Sequence, residues 1–460
     1  MSTQPIAMPN RRDPALLMGF TNLAEGRQRQ PLVITRGEGV FVFDEEGKDY
    51  IEGVSSFYCT ALGFSEEALI EAAVKQMREM PFYVSAMHRV LPVVEQLAEK
   101  LCALVPMANA KVAFAVSGSE ANDALVKFLW FHNNAVGQPK RKKVISRLGS
   151  YHGATIATAS LTGWAKYHAG FDLPIAGFLH TQQPDYYNLA EAGESEEEFA
   201  SRVVAELKDL IENEGPETIG AFLAEPVSVS AGLAVPPKTY WQKLTALLRD
   251  YEIKFFDDEV VTGFCRTGEM FGFETFGLEP ECVTMAKGLS SAYQPISAVV
   301  MSEDFYEGLE KGSDQVGMFS HAGTYHGHPV AAAVALRVLE LIEERDILGY
   351  VQGIIPHFHK AIGKFADHAL VGEVRTLGLA GAVELVLDKE TRGRGEPEGA
   401  LAKHFGDRCQ ANGLFVRPIG GAAVLAPPLI ITEGEIDELF RRFGLALDET
   451  LDWAGRQWPE

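Results

Sequence analysis

The feature that most constrains this chain is an alternation of short apolar runs with longer segments of helical period between residues 111 and 302. The runs are rich in β-branched and aromatic residues, which favour strands. Alternation of this kind predicts an α/β fold, in which a mainly parallel seven-stranded sheet is covered by helices on both faces. The runs are KVAFAVSG, KKVISRLG, IAGFLHTQ, IGAFLAEPV, IKFFDDEV, ECVTMAK and ISAVVMS.

The chain has 460 residues, too many for a single hydrophobic core, so a large domain and a smaller one are expected. Residues 195–215 have a serine start, an acidic first turn and a terminal glycine, which predict an amphipathic helix. A second helix, from Pro329 to about Arg345, should connect to a C-terminal α+β domain that ends in a helix from Glu433 to Trp453. The predicted domains are an N-terminal segment joining the small domain (1–65), a large domain (66–328) and a C-terminal small domain (329–460).

The chain carries 63 acidic and 41 basic residues, which give a formal net charge of −22. This charge repels nucleic acid and anionic membranes, so neither is an expected partner. The five cysteines lie far apart, with no pair at metal-ligand spacing, as is typical of reduced thiols, and no metal site is expected. Met1 to Arg12 lack the apolar core of a signal peptide, and no window approaches about 18 apolar residues. These features predict a cytoplasmic location.

Two polar turns follow predicted strands at their carboxyl ends, where open parallel sheets collect ligands. Ser117, Gly118 and Ser119 connect a strand to a helix, where free N–H groups and the helix dipole suit a phosphate. Taken alone, this turn is better explained as a serine N-cap with an acid in the first helical turn. Tyr151 and His152 follow the next strand, where the tyrosine could stack on a planar ring or simply be half-buried.

A carboxylate cluster and an isolated lysine follow the next two strands. Asp257, Asp258 and Glu259 end an apolar strand, where a buried carboxylate requires a partner. That partner could be Arg266, a protonated ligand nitrogen or a metal, and the metal is disfavoured because no histidine lies nearby. Lys287 could be a nucleophilic amine in a nearly dry pocket, able to form a Schiff base, or a lysine that reaches the surface.

Taken together, seven motifs resemble the class III family of pyridoxal-phosphate aminotransferases, which act on ω-amino acids and amines and have the type I fold. The resemblance runs from about Leu32 to Leu447. It implies bound pyridoxal 5′-phosphate and a homodimer, or a dimer-based tetramer, with active sites at the subunit interface. The motifs, in chain order, are SGSEAN, YHG, AEPV, DDEVVTGFCRTG, AKGLSSAYQP, GTYHGHPVA and VRPIG.

The resemblance also implies a role for each matching residue. Lys287 would form the Schiff base with the cofactor and then move a proton to and from the substrate carbon, while Asp258 would pair with the ring nitrogen. Arg417 would bind the substrate carboxylate, unless it forms a surface salt bridge in the small domain. The other implied residues are Gly118 and Ser119 at the phosphate, Tyr151 and Val260 on the ring faces, His152 and Glu225 beside the ring, Thr324 at the phosphate of the neighbouring subunit, and Tyr58, with Tyr151 again, at the substrate.

The sequence departs from the family pattern where the amino donor would bind. Gly323 stands where relatives often have an aromatic residue, Ala86 and Met87 replace a bulkier aromatic patch, and Tyr58 stands where some relatives have tryptophan. These departures leave open the donor, for which taurine, β-alanine, putrescine, γ-aminobutyrate and arylalkyl amines are all compatible.

The expected reaction is transfer of an amino group from a primary amine or ω-amino acid to an α-keto acid, pyruvate, with ping-pong kinetics. Three alternatives stay open at this point. The acceptor could be 2-oxoglutarate, the enzyme could be an aminomutase or a decarboxylase, or the chain could be a non-catalytic protein that kept the fold.

Overall fold

The computed structural model describes residues 15–26 and 31–458, so residues 1–12, in which no signal peptide was expected, lie outside the described part. The strands are β1 (Ile34–Glu38), β2 (Phe41–Asp44), β3 (Asp49–Glu52), β4 (Lys111–Ala115), β5 (Lys143–Arg147), β6 (Phe178–Thr181), β7 (Ile219–Ala224), β8 (Lys254–Asp258), β9 (Cys282–Met285), β10 (Ser297–Met301), β11 (Val371–Leu377), β12 (Ala380–Leu385), β13 (Leu414–Phe415), β14 (Arg417–Ile419) and β15 (Ala422–Leu425).

The helices are α1 (Leu23–Gly26), α2 (Ser55–Tyr58), α3 (Glu67–Glu79), α4 (Pro92–Leu104), α5 (Gly118–Ala135), α6 (Ile156–Leu161), α7 (Ala165–His168), α8 (Tyr186–Leu189), α9 (Glu196–Glu214), α10 (Tyr240–Asp250), α11 (Gly272–Phe276), α12 (Glu303–Val316), α13 (Pro329–Glu344), α14 (Ile347–Gly363), α15 (Ala400–Ala411) and α16 (Glu433–Gln457). Short 3₁₀ turns occur at Pro216–Thr218, Val229–Ala231 and Lys287–Ser290.

Within residues 31–458, seven strands form the central sheet in the order β4-β10-β9-β8-β7-β5-β6, which confirms the predicted α/β fold. All seven predicted runs are strands of this sheet, and the neighbours from β9 to β6 pair in parallel. The exception is β10, which is antiparallel to both β4 and β9. The connection from Met285 to Ser297 is too short for the helical crossover that a parallel strand needs.

The predicted helices are also present. Ser195 caps α9 through a capping box with Glu198, and Gly215 follows its last residue. Helix α13 begins at Pro329, which suits the first helical turn. Helix α16 begins at Glu433 as predicted and extends past Trp453 to Gln457. No helix among the described residues is long and apolar enough to cross a membrane.

Two smaller sheets lie outside the central one, with the orders β1-β2-β3-β13 and β11-β12-β15-β14. The first joins the N-terminal strands β1 to β3 to a strand of the C-terminal region, because β13 pairs in parallel with β3. The second, which we call the C-terminal sheet, packs Ala380, Ala382 and Val424 against Tyr58 and Val229, near the central sheet. The predicted division at residues 65 and 328 stays a prediction.

Candidate active site

One cavity of about 760 Å³ lies at the carboxyl ends of the central strands. Its lining includes side chains that follow β4, β5, β7, β8 and β9, together with the start of β14. Ten of the eleven predicted site residues line it: Tyr58, Gly118, Ser119, Tyr151, His152, Glu225, Asp258, Val260, Lys287 and Arg417.

The remaining predicted residue, Thr324, does not line this cavity. It is exposed, in a turn between α12 and α13. The predicted donor-pocket positions Ala86, Met87 and Gly323 are also absent from the lining residues of this chain. The proposed contact of Thr324 with a neighbouring subunit therefore stays a prediction.

Asp258 is the last residue of β8, and its carboxylate is held by three donors. Asn122 Nδ2 and His152 Nδ1 both lie 2.8 Å from Oδ2, and the Val260 N–H donates to Oδ1 at 3.1 Å. The residue is only 3% exposed. This arrangement fixes a buried carboxylate at the cavity wall, where it can pair with a cationic ligand atom.

Glu225, just after β7, forms the second buried carboxylate. Its Oε1 accepts hydrogen bonds from the Tyr151 N–H at 3.2 Å and from Ser228 at 3.0 Å, and its Oε2 lies 3.2 Å from Arg147 Nη2. Burial acts to raise the pKa of Glu225, but the charges of His152 and Arg147 and the donated hydrogen bonds overcome it and lower the pKa. His152 Nε2 is 3.7 Å from Glu225, so this imidazole lies between the two carboxylates.

The first turn of α5 opens onto the same cavity. Ser117 caps the helix by accepting the Glu120 N–H at 3.2 Å, so the predicted N-cap is confirmed. The N–H groups of Gly118 and Ser119 belong to the first turn, where no helical carbonyl precedes them. A Cβ on Gly118 would lie 3.0 Å from Val260 Cγ2, so glycine keeps this turn open. The site suits an anion.

Lys287 starts the 3₁₀ turn after β9, with a left-handed φ of 43°. Burial lowers the pKa of its amine, while Cys59, Asp258 and Glu225 act to raise it. Its Nζ lies 5.4 Å from the centre of the Tyr58 ring. The side chain is half-buried and lines the cavity, so it does not simply extend into solvent. A lysine whose ammonium form is disfavoured can act as a nucleophile.

The wall beside Lys287 is built by α2, whose four residues all have left-handed φ values, from 47° to 68°. Such a conformation is unfavourable for residues other than glycine. It directs Phe57 and Tyr58 into the cavity lining. The Tyr58 hydroxyl is buried and has no hydrogen-bond partner among the described residues, and burial raises its pKa.

Arg417 also lines the cavity, at the start of β14. Its guanidinium stacks on Phe57 at 4.4 Å and on Phe20 at 5.3 Å from the ring centres. None of the salt bridges between described residues involves Arg417, so the alternative of a surface salt bridge finds no partner there. The guanidinium is thus available for a ligand carboxylate.

Several residues of the site were not identified from the sequence. Asn122 lies within the motif SGSEAN, one helical turn after Gly118. Residues four apart share a helix face, so this spacing could have indicated that Asn122 faces the strand ends, as Gly118 does. Arg147 ends the run KKVISR and is fully buried. Phe20, Trp164 and Tyr167 also line the cavity, and no sequence signal pointed to them.

The carboxylate cluster divides between two environments. Asp258 lines the cavity, whereas Asp257 and Glu259 do not, and burial raises the pKa of both. Arg266, considered as a partner for the cluster, instead donates to backbone carbonyls of Leu379 and Pro427 at 2.9 and 2.7 Å. No three His, Cys, Asp or Glu side chains of residues 15–26 and 31–458 are grouped as a metal site would require.

Comparison with known proteins gives one family. Residues 23–447 match the family model described as Aminotransferase class-III. The chain is 43% identical over 436 residues to gamma aminobutyrate transaminase 1, mitochondrial, of Solanum lycopersicum, which covers 95% of this chain and 85% of that protein. A γ-aminobutyrate transaminase 1 of Oryza sativa subsp. japonica, also mitochondrial by name, shows the same identity and covers 84% of that protein.

Solved structures agree with this result. The omega transaminase of Pseudomonas jessenii in complex with PMP superposes with a TM-score of 0.94 at 44% identity, covering 96% of this chain and 97% of that one. The PMP-bound aminotransferase of Vibrio fluvialis also reaches a TM-score of 0.94, at 34% identity, covering 98% of this chain and 99% of that one.

Proposed function

We propose, on the premise that the chain belongs to the class III aminotransferases, which use pyridoxal phosphate, that it transfers an amino group from a primary amine or ω-amino acid to pyruvate. The reaction would have two halves with ping-pong kinetics. The observation that carries this proposal is that Lys287, Asp258, the Gly118–Ser119 turn and Arg417 line one cavity.

The cavity residues fit pyridoxal phosphate. A phosphate would use the N–H groups of Gly118 and Ser119, and the ring nitrogen would use the buried Asp258 carboxylate. Gly153, with a φ of 145°, supports this fit, because a Cβ there would lie 2.6 Å from Ser119 Oγ. The ring faces would contact Val260 and Tyr151. When bound, the cofactor supplies an aldehyde that condenses with amines and a ring that withdraws electrons.

Three residues of this chain would then have separate roles in the reaction. The Lys287 amine, whose pKa is lowered, would react with the aldehyde and later move a proton to and from the carbon that bears the substrate nitrogen. Asp258 would keep a proton on the ring nitrogen, because its carboxylate is buried and held in place by three donors. Arg417 would bind the carboxylate of the keto acid and return to its aromatic neighbours when an amine without a carboxylate enters.

Pyruvate is proposed as the acceptor because Arg417 is the one arginine among the described residues that line the cavity, and a single guanidinium suits a single carboxylate. One observation favours 2-oxoglutarate instead. Lys166 also lines the cavity, so its ammonium group could receive a second carboxylate, which would offset the lowering of its pKa by burial. The same cation could bind the carboxylate of γ-aminobutyrate, the substrate named for the plant relatives.

We also propose a homodimer or dimer-based tetramer in the cytoplasm. Thr324 is exposed and lies outside the cavity of its own chain, which suits a contact with a second subunit. Large apolar side chains next to it are also exposed, including Tyr325 at 60% and Phe82, whose ring lies 5.9 Å from that of Tyr325, at 39%. Light scattering of the purified protein and fractionation of the source cells would test the two statements.

The reaction is tested by incubating the protein and pyridoxal phosphate with a panel of amines and either pyruvate or 2-oxoglutarate. Alanine should form with pyruvate, and glutamate in its place would establish the alternative acceptor. Lys287→Ala should still bind the cofactor but lose turnover. Normal turnover by this variant, or no amino acid product from any amine, would refute the proposal.

A further inference from the structure

A buried ion cluster joins two strands of the C-terminal sheet. Glu384 on β12 is 2% exposed. Its Oε2 accepts a hydrogen bond from Arg375 Nη2 at 2.6 Å, and its Oε1 accepts one from Arg394 Nη2, also at 2.6 Å. Arg375 also donates to Glu373 at 2.5 Å. A carboxylate this deeply buried holds both guanidinium groups in fixed positions.

Arg375 extends from this cluster to a turn beside the active site. Its Nε and Nη2 both donate to the Gly232 carbonyl, at 3.1 and 2.8 Å. Gly232 ends the turn Val229–Ala231 with a φ of 81°, and a Cβ there would lie 3.0 Å from Ala422 Cβ on β15. The turn is therefore docked against the C-terminal sheet through a residue that has to be glycine.

The same turn holds the Glu225 carboxylate. Ser228 Oγ and Ser230 Oγ donate to Glu225 Oε1 at 3.0 and 3.3 Å. The turn is closed by N–H groups of Ala231 and Ala234, which donate to the Ser228 carbonyl at 3.2 and 3.0 Å. Two of its residues, Val229 and Ser230, line the cavity. A shift of the turn would therefore move the donors that orient Glu225.

We propose that Arg375, fixed by Glu384, is a positioning residue for the active site: it sets the Ser228–Gly232 turn and through it the orientation of Glu225 toward His152. This inference rests on the proposed function only in taking Glu225 as part of the cofactor site. Arg394 provides a matched comparison. It shares Glu384, but its other bond is to Asn188 rather than to the turn.

Hydrogen exchange of the holoenzyme tests, without an activity assay, whether Arg375 holds the Ser228–Gly232 turn in place. Arg375→Met should speed exchange of the amides from Ala231 to Ala234 by about 10- to 100-fold, the ratio expected when a charge-assisted hydrogen bond is lost. Arg394→Met should leave them within about 3-fold of the wild type. If Arg375→Met does not fold, Arg375→Lys, which keeps the charge, should give a smaller acceleration at the same amides. Equal exchange in the Arg375 and Arg394 variants would overturn the proposal.

A double-mutant cycle tests the connection to Glu225. Arg375→Met should lower kcat by about 10-fold while changing KM for pyruvate by no more than about 2-fold, because it misplaces a group without removing a substrate contact. In a Ser228→Ala, Ser230→Ala background, which already lacks the two donors, it should have little further effect. A full 10-fold loss in both backgrounds would overturn the proposal. If the wild type turned over no amine, the proposed function would fail while the exchange result still decided this inference.

Discussion

Asn122 offers the sharpest test of how Asp258 is held. Both hydrogens of its side-chain amide are used: one is donated to Asp258 Oδ2 at 2.8 Å and the other to the His152 carbonyl at 3.0 Å. Asn122→Ala removes one bond to a charged acceptor, worth about 1.5–3 kcal/mol, and one to a neutral acceptor, worth about 1 kcal/mol. The free energy of unfolding should therefore fall by about 2.5–4 kcal/mol.

The same change should weaken the cofactor site. Asp258 would keep two of its three donors, and only His152 would still hold Oδ2. If cofactor binding loses about 1.4 kcal/mol, near the lower end of the range for a hydrogen bond to a charged acceptor, the dissociation constant of pyridoxal phosphate should rise about 10-fold. Equilibrium titration of the cofactor-free protein, followed by absorbance, measures this constant.

Asn133 supplies the control. It is buried on the same helix as Asn122, but its amide donates to the Arg141 carbonyl at 2.7 Å and not to Asp258. Asn133→Ala removes two hydrogen bonds to neutral groups, the Arg141 carbonyl and the His132 ring, so it should lower the free energy of unfolding by about 2 kcal/mol and leave the cofactor dissociation constant within about 2-fold. If the two variants bound the cofactor equally well, the view that Asn122 orients Asp258 for the cofactor would be refuted.

Further predictions concern Gly153, Glu225 and Arg417. Gly153→Ala should weaken cofactor binding, because its Cβ would lie 2.6 Å from Ser119 Oγ. Gly170→Ala is the control: nothing lies within 4 Å of its Cβ, so it should lower the free energy of unfolding only by the backbone strain, about 1 kcal/mol. Cofactor titration and thermal unfolding of both variants measure these effects. The pKa of Glu225 is below its usual 4.5 in the fold, so its ionised form stabilises the protein above that value and the contribution is lost as pH falls through the folded pKa. Glu225→Gln should therefore flatten the dependence of the thermal midpoint on pH below 4.5, and an unchanged slope would contradict the assignment. Arg417→Met should raise KM for pyruvate by about 10- to 100-fold and leave the half-reaction of an arylalkyl amine within about 3-fold, as stopped-flow measurement of each half-reaction would show.

The sequence predicted the central sheet well because its inner strands are buried on both faces. All residues of β7, β9 and β10 are buried, so these strands are continuous apolar runs that stand out from the amphipathic helices. The reversed direction of β10 carries no such signal. The direction of β10 follows from the short connection between β9 and β10, and the apolar pattern of the strand does not indicate it.

The residues of the candidate site also divide into those that the sequence could predict and those that it could not. The positions of Asp258, Lys287 and Gly118 at the cavity could be predicted because each lies at or just after the end of a strand, in a motif of chemically unusual residues. Arg147 reads as an ordinary basic residue beyond an apolar run, and only the fold shows that it is fully buried beside Glu225. The left-handed α2 could not be predicted either, because four successive residues with positive φ oppose the local preferences on which sequence patterns depend.

The pairing of β3 with β13 has a consequence for the newly made chain. The Ile51 N–H bonds the Gly413 carbonyl, and Lys48 bonds the Ala411 carbonyl, which lies 363 residues later in the sequence. At a synthesis rate of about 5–20 residues per second, the first sheet waits roughly 20–70 s on the ribosome before its last strand emerges. Val40, Tyr50 and Ile51, all buried in the finished fold, lack their final neighbours throughout that time. The N-terminal sheet can therefore be completed only after most of the chain has been synthesised.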